Sequence, residues 1–202
     1  MTLPLSVLAP PLRDDEDKRT DFEQEALVHL DALFRVAMRF AGNAPDADDL
    51  VQETLLKAYR AWHTYQKGTN AKAWLLAILR SVFINEYRRS ARRRAFVDLD
   101  AIEPVMVLDE LRDADPEGAF FENLVDDEVL RAVDDLPLPF REVVTLHDVE
   151  SLRYEDIAVM LGIPVGTVKS RLFRARHVLR ARLYDYAVST GRIRANATTE
   201  PR

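Results

Sequence analysis

The stretch YEDIAVMLGIPVGTVKSRLFRARHVLRARL, residues 154–183, has the pattern of two helices joined by a tight turn. Gly162 is typical of the left-handed residue that ends a helix, and Pro164 is typical of the start of the next one. Two helices joined in this way form a helix-turn-helix motif. The stretch therefore predicts a helix-turn-helix, although Arg153 stands where a Ser or Thr cap would favour the first helix.

The second helix of the motif has one apolar and one basic face. An α-helix turns about 100° per residue, so four apolar side chains share one face and are predicted to be buried, namely Val168, Leu172, Ala175 and Leu179. The other face and its edges hold Lys169, Ser170, Arg171, Phe173, Arg174, His177 and Arg180. Residues 162–183 contain five Arg, one Lys and no acidic residue, which favours contact with DNA over a merely solvated basic helix.

Two side chains of the basic face suit contacts with bases. Arg174 can form paired hydrogen bonds with a guanine edge, and an exposed Phe173 can contact a thymine methyl group. The remaining arginines are expected mostly to contact phosphates, which provides affinity without sequence preference.

The net charge of −6 over 202 residues is unevenly distributed along the chain. Residues 96–135 contain 14 acidic and 2 basic side chains, hence a net charge of −12, whereas residues 22–95 and 136–202 are both basic. Two prolines and a glycine interrupt any helical period in the acidic block. The pattern predicts a flexible acidic linker over 96–121 between two domains.

The composition argues against an enzyme and against a membrane protein. The chain has no cysteine, and its four histidines lack the spacing of metal ligands. It contains no glycine-rich phosphate loop and no paired nucleophile and base, and no apolar run reaches the roughly 20 residues of a membrane span. We expect a protein that is not an enzyme, holds no metal or other cofactor, does not insert into a membrane and resides in the cytoplasm.

Helical periodicity also dominates the first half of the chain. One apolar stripe is predicted from six residues, Phe22, Ala26, Leu30, Leu33, Ala37 and Phe40. Gly42 is expected to end this helix, Pro45 to open the next, and Thr69 or Asn70 to cap a third. The predicted fold is all-α, with two small helical domains.

The predicted boundaries of these parts follow the periodicity and the charge. They are a disordered arm over 1–21, a helical bundle over 22–95, the acidic linker over 96–121, a helix-turn-helix domain over 122–187 and a flexible tail over 188–202.

The helix in DADDLVQETLLKAYRAW, residues 46–62, carries a mixed polar and apolar surface. Helical spacing places Asp49, Gln52, Glu53 and Leu56 on one side. Such a mixture is typical of a protein-binding face, but acids near a helix N-terminus also occur because they favour the helix dipole. This segment alone is consistent with both interpretations.

Three segments together resemble one family. DADDLVQETLLKAYRAW, GTNAKAWLLAIL with the later NEYRR, and YEDIAVMLGIPVGTVKSRLFRAR occur in the order and spacing of bacterial extracytoplasmic-function (ECF) sigma factors. The resemblance covers about 22–95 and 122–185 and is most like the stress- and redox-responsive branch regulated by small anti-sigma proteins. It implies that the two domains are sigma region 2 and sigma region 4.

The resemblance implies two sets of binding residues in region 2. The helix with Asp49, Gln52, Glu53 and Leu56 would bind the coiled coil of the polymerase β′ subunit. The next loop and helix would hold the −10 element and an unstacked base of the melted non-template strand, through Tyr65, Lys67, Asn70, Lys72, Arg80, Ser81, Arg88 and Arg89. Aromatic and cationic side chains suit this role, whereas Trp74 is predicted to lie in the core. Ser81 departs from the Asn that many relatives carry.

In region 4 the resemblance implies contacts with the −35 duplex. The implied positions are Thr167, Lys169, Ser170, Arg171, Phe173, Arg174 and His177. The acidic linker would enter a basic channel of polymerase as a nucleic-acid mimic, or else serve as a solvated tether. The implied partners are core RNA polymerase, through its β′ and β subunits, promoter DNA, and an anti-sigma protein that would hold the chain inactive in the cytoplasm.

The predicted function is that of a sigma factor, which directs polymerase to promoters and supports their melting. The alternative is an independent helix-turn-helix regulator that acts on duplex DNA without polymerase. A tight, sequence-specific complex of the free protein with duplex DNA would favour that alternative.

Overall fold

The computed structural model describes residues 12–93 and 127–190, which contain helices and no β-strand. The first range holds α1 (Leu12–Glu25), α2 (Leu30–Ala41), α3 (Ala44–Arg60) and α4 (Ala71–Arg93), with 3₁₀ turns at Leu27–His29 and Trp62–Thr64. The second holds α5 (Asp127–Asp134), α6 (Leu138–Val144), a π-helical turn (Thr145–Val149), α7 (Tyr154–Leu161) and α8 (Val165–Ser189). The predicted acidic linker over 96–121 lies outside the described residues. No helix in the two described ranges has the length and apolar character needed to cross a membrane.

Helix α1 begins at Leu12, so the prediction of a disordered arm over 1–21 is wrong for its second half. Phe22 attaches this helix to the bundle. Its ring is buried and packs edge-on against Tyr59 and Trp62, with 5.2 Å between ring centres in both pairs. Such aromatic pairs stabilise a fold beyond the area that they bury.

The apolar stripe predicted across residues 22–42 is interrupted. The 3₁₀ turn at Leu27–His29 shifts the helical phase between α1 and α2. Leu30 is therefore 43% exposed, contrary to the prediction, whereas the other five stripe residues are buried. Gly42 ends α2 with a φ of 80°, as predicted for a left-handed cap.

Side-chain caps set the starts of α3 and α4. The Asn43 side chain accepts a hydrogen bond from the Asp46 backbone N–H at 3.0 Å, and the Asn70 side chain accepts one from the Ala73 N–H at 3.0 Å. Each cap satisfies an N–H group that has no partner within its helix. The predicted Asn70 cap is therefore confirmed, and α2, α3 and α4 pack together as a bundle.

The helix-turn-helix has the predicted turn. Helix α7 ends at Gly162, which has a φ of 67°, and Pro164 immediately precedes α8. The Arg153 side chain accepts no capping hydrogen bond from α7 but forms an ion pair with Asp156, with Nε and Oδ2 3.1 Å apart. Before this motif, Ser151 adopts a φ of 56° and turns the chain between the π-helical turn and α7.

The two helical domains lie directly against each other. Helix α2 packs against α5 and α6, and α4 packs against α7. Buried residues of both domains form one continuous hydrophobic cluster. No sequence pattern predicted this contact, and it determines which of the predicted binding residues are accessible.

Candidate nucleic-acid and partner surfaces

The buried face of α8 is the one that periodicity predicted. Val168, Ala175 and Leu179 are fully buried, and Leu172 is 2% exposed. The helix packs against α6 and α7. This packing fixes the rotation of α8 and turns its basic face outward.

The outer face of α8 and its edges present the predicted −35 residues. Lys169, Ser170 and His177 are exposed, and four residues are partly buried, namely Thr167, Arg171, Phe173 and Arg174. The Nζ of Lys169 lies 5.6 Å from the ring centre of Tyr154 at the start of α7. Because Phe173 is half-buried instead of exposed, less of its ring is available to a base than the sequence predicted.

One arginine of the basic stretch does not face solvent. Arg176 is 6% exposed, and its Nη2 donates to Oδ1 of Asp148 at 2.6 Å. Asp148 belongs to the π-helical turn, so the pair joins α8 to the preceding element. The expectation that the remaining arginines mostly contact phosphates is therefore wrong for Arg176, which stabilises the domain from inside.

Helix α3 has one exposed face, formed by Asp49, Gln52, Glu53 and Leu56; we call it the α3 face. The opposite side of the helix is buried in the bundle. Glu53 and Lys57 form an ion pair one turn apart, with 3.2 Å between Oε1 and Nζ. The α3 face thus combines two carboxylates, an amide and a 45% exposed leucine on an accessible helix.

Five of the predicted −10 residues are exposed, namely Lys67, Asn70, Ser81, Arg88 and Arg89. The Lys67 ammonium pairs with the Asp21 carboxylate of α1, and this hydrogen bond raises the pKa of Lys67. Asn70 and Ser81 lie at the start and middle of α4, while Arg88 and Arg89 lie toward its end. A single DNA strand that contacted all five residues would run along the length of α4.

Tyr65 is largely buried and packs against two aromatic rings. The residue is 9% exposed, and its ring stacks on Trp62 with 4.6 Å between ring centres. The hydroxyl donates to the Thr69 carbonyl at 3.0 Å, and burial raises the pKa of Tyr65. In this arrangement Tyr65 shapes the loop before α4 and does not offer a stacking surface for a base. Trp74 is partly buried against the same core, as predicted.

The last two predicted −10 residues, Lys72 and Arg80, contact acidic residues of the second domain. Lys72 Nζ donates to the Glu150 carbonyl oxygen at 2.6 Å, and Arg80 Nε donates to Glu142 Oε1 at 2.8 Å. Glu142 and Glu150 are 4% and 2% exposed. These two carboxylates, which sequence reasoning missed, connect the two domains.

A sequence signal for Glu142 existed. In PFREVVTLHDVE, residues 139–150, Glu142 precedes the buried Leu146 by one helical turn and therefore lies on the apolar stripe. A carboxylate in such a position requires a partner, because burying an unpaired charge is costly. Nothing in the sequence indicates that this partner is Arg80, which is 62 residues away.

Comparison with known proteins identifies both domains. Residues 27–93 match the family model for sigma-70 region 2, and residues 126–179 match that for sigma-70 region 4. The chain belongs to the ECF branch of the sigma-70 family. The matched ranges lie within the predicted domains over 22–95 and 122–187. Region 2 therefore includes α2 to α4, and region 4 includes α5 to α7 with most of α8.

Relatives of this ECF sigma factor cover most of its length. It is 38% identical over 177 residues to the ECF RNA polymerase sigma factor EcfG of Rhodopseudomonas palustris, covering 88% of this chain and 87% of the relative. It is 34% identical over 176 residues to the ECF RNA polymerase sigma factor SigE of Mycolicibacterium smegmatis, covering 87% of this chain and 66% of that protein. The sigma factor RpoE from Bartonella quintana, solved in complex with the anti-sigma factor NepR, aligns with a TM-score of 0.63 and 32% identity. That alignment covers 82% of this chain and 98% of RpoE.

Proposed function

We propose that this chain is the promoter-specificity subunit of an RNA polymerase holoenzyme. It binds core polymerase through the α3 face and the β′ coiled coil, with a further contact to the β subunit. Region 4 binds the −35 duplex, and region 2 binds the −10 element and the melted non-template strand. The chain catalyses no reaction itself, because the polymerase performs nucleotide addition. It acts where polymerase acts, in the cytoplasm.

The observation that carries this proposal is the presence of region 2 and region 4 in one chain. An independent helix-turn-helix regulator requires a domain such as region 4 alone. Its function does not require a second domain. The second domain of this chain carries the exposed α3 face and a row of cations along α4. The co-occurrence of the two domains therefore favours the polymerase-associated function over the regulator.

The direct test is reconstitution of the full chain with bacterial core polymerase. The holoenzyme would transcribe a library of random-sequence duplexes, and sequencing the 5′ ends of the transcripts would identify the promoters. We expect start sites that share −10 and −35 motifs and that disappear when the chain is omitted. Start sites that do not depend on the chain, together with tight sequence-specific binding of duplex by the free chain, would support the independent regulator instead.

An anti-sigma protein is a proposed partner of the chain. The support comes from the similarity to RpoE, which was solved with the anti-sigma factor NepR. Such a partner would hold the sigma factor inactive until a signal releases it.

Replacement of Arg174 by Ala is expected to reduce −35 discrimination by about 1–3 kcal/mol, the usual value of a paired contact with a base edge. Arg174 lies on the outer surface of α8 and is only partly buried. Arg174→Lys is the matched control, because lysine keeps the charge but cannot form the paired hydrogen bonds. Competition among single-base variants of the selected −35 element measures the effect. An equal loss of affinity on every variant would make Arg174 a phosphate contact.

A further inference from the structure

We propose that the contact between region 2 and region 4 is autoinhibitory, because acidic residues of region 4 occupy cations that region 2 needs for the −10 strand. We call this arrangement the closed form. The inference rests on the proposed function in one respect, namely that Lys72 and Arg80 are −10 contacts. The contact itself stands on the geometry of three groups of ion pairs.

The first group is centred on Glu150, whose side chain is 1% exposed. Arg35 donates to both carboxylate oxygens, from Nε at 2.9 Å and from Nη2 at 3.2 Å. Lys72 Nζ donates to the Glu150 carbonyl at 2.6 Å and lies 3.7 Å from Oε2. One residue of region 4 thus holds two cations of region 2, through its backbone and its side chain together.

The second group is centred on Arg80, in the middle of α4. Its Nε donates to Glu142 Oε1 at 2.8 Å, and its Nη1 donates to the Met160 carbonyl at 3.3 Å. The Arg80 side chain is 23% exposed and that of Glu142 is 5% exposed. A DNA phosphate cannot reach this guanidinium in the same geometry without displacing region 4.

The third group involves no predicted DNA contact. Arg39 Nη1 donates to Asp134 Oδ2 at 2.8 Å and to the Leu130 carbonyl at 3.0 Å. Arg141 of region 4 donates from Nη1 to the Arg39 carbonyl at 3.1 Å. Because these residues lie outside the predicted binding surfaces, they allow the contact to be changed without changing the DNA-binding residues.

The distribution of charge between the two regions is the same in the ion pairs of all three groups. In each ion pair between the regions, region 2 supplies the cation and region 4 supplies the carboxylate. The carboxylates therefore take the place that phosphates would take. The exposed residues of the outer surface of α8 and of the α3 face take no part in the contacts described above, so the closed form masks −10 binding selectively.

Neutralising a single carboxylate is a poor test of this contact. Burial raises the pKa of Glu142 against the opposing effect of Arg80, and burial likewise raises the pKa of Asp134 against Arg39 and Arg141. The amide oxygen of Asn or Gln at either position can also accept the arginine hydrogen bond, so an uncharged side chain remains compatible with the closed form. Reversing a charge creates repulsion between like charges that are partly shielded from solvent and is the sharper change.

Arg39→Asp is the variant of choice, because it places a carboxylate against Asp134. The matched rescue is Arg39→Asp combined with Asp134→Arg, which reverses the pair. Circular dichroism would show that each variant keeps its helices. The exposed pair Arg153 and Asp156 offers a control within region 4: Arg153→Asp should leave the domain contact unchanged.

Amine acetylation followed by mass spectrometry reports the closed form without any DNA. Lys72 is hydrogen-bonded and partly buried, whereas Lys57 and Lys169 are exposed and serve as internal standards. We expect Lys72 to react at least about tenfold more slowly than the standards, as for an open form populated below about 10%. Arg39→Asp should bring Lys72 close to the standards, and the reversed pair should restore most of the protection. Equal reactivity of Lys72 and Lys169 in the unaltered chain would overturn the closed form, whatever the outcome of the promoter selection.

Binding of the selected −10 non-template oligonucleotide and of the selected −35 duplex then tests autoinhibition. Arg39→Asp should strengthen −10 binding by the free chain about tenfold, or ~1.4 kcal/mol, and leave −35 binding unchanged. If acetylation shows opening but −10 affinity does not rise, the contact exists and is not inhibitory. Failure of the proposed function gives a different result, since no chain-dependent promoter would then be recovered.

A covalent lock provides the converse measurement. The chain has no cysteine, so Arg39→Cys with Asp134→Cys creates a unique pair for a thiol-cleavable bismaleimide cross-linker. The cross-linked chain should lose −10 binding and keep −35 binding, and cleavage of the linker should restore the first. Unchanged −10 binding in the cross-linked chain would also overturn the proposal.

Discussion

Simultaneous replacement of Asp49, Gln52 and Glu53 by Ala is expected to weaken assembly with core polymerase by at least about a hundredfold, or ~2.7 kcal/mol. All three side chains are exposed on the α3 face. A few residues usually account for most of the binding energy of an interface, and this face is the proposed contact with β′. Quantitative pull-down or native gel titration with core polymerase measures the loss.

The fold should tolerate this triple replacement. The single ion pair described for these residues joins Glu53 to Lys57, and an exposed pair of this spacing contributes about 0.3–0.5 kcal/mol. The matched control replaces Glu23, Gln24 and Asp31 by Ala. These residues have the same chemical types and are exposed elsewhere in the domain, and Glu23 forms a comparable pair with Arg19. Equal retention of polymerase by both triple variants would refute the α3 face as the binding surface.

The second large effect is expected inside region 4. Asp148→Ala should lower the free energy of unfolding of this domain by about 3–5 kcal/mol, because it removes one partner of a buried ion pair. The side chains of Arg176 and Asp148 are 8% and 11% exposed. Urea unfolding of the full chain, followed by hydrogen exchange in α8, would measure the loss.

A surface pair provides the control for Asp148. Asp156→Ala removes the partner of Arg153, whose side chain is 75% exposed, and should cost at most about 1 kcal/mol. The salt dependence of −35 binding gives an independent check under conditions in which the domain stays folded. A steeper salt dependence with Asp148→Ala would indicate that Arg176 has moved to a phosphate. An unfolding loss as small as that of Asp156→Ala would contradict the buried pair.

Local chemistry explains which parts of the fold the sequence predicts. Gly162 and Pro164 mark the turn of the helix-turn-helix because the required backbone angles suit those residues. The four apolar residues of α8 follow from helical spacing. Gly42 and Asn70 were likewise recognisable as cap residues. Each of these predictions depends on neighbours within one or two turns of the same helix.

The sequence did not reveal features whose decisive neighbour lies on another element. Arg176 looks like its neighbouring arginines in the sequence, and its pairing with Asp148 on the preceding turn depends on the fold. Leu30 left the core because a short 3₁₀ turn shifted the helical phase. The contacts of Lys72 and Arg80 with region 4 join residues 78 and 62 positions apart. Local periodicity carries no information about pairs so distant.

The exposure of the α3 face in the closed form sets an order of events in the cell. A free copy exposes the α3 face, the proposed contact with polymerase, and the proposed −35 surface, while Lys72 and Arg80 are paired with region 4. Non-specific residence on the chromosome depends steeply on the number of phosphates that a protein neutralises. In the closed form Lys72 and Arg80 are not available to neutralise phosphates. An unassembled copy therefore spends less time bound to the genome and more time diffusing. Polymerase is then met before the promoter, and the search for start sites is carried out by the holoenzyme.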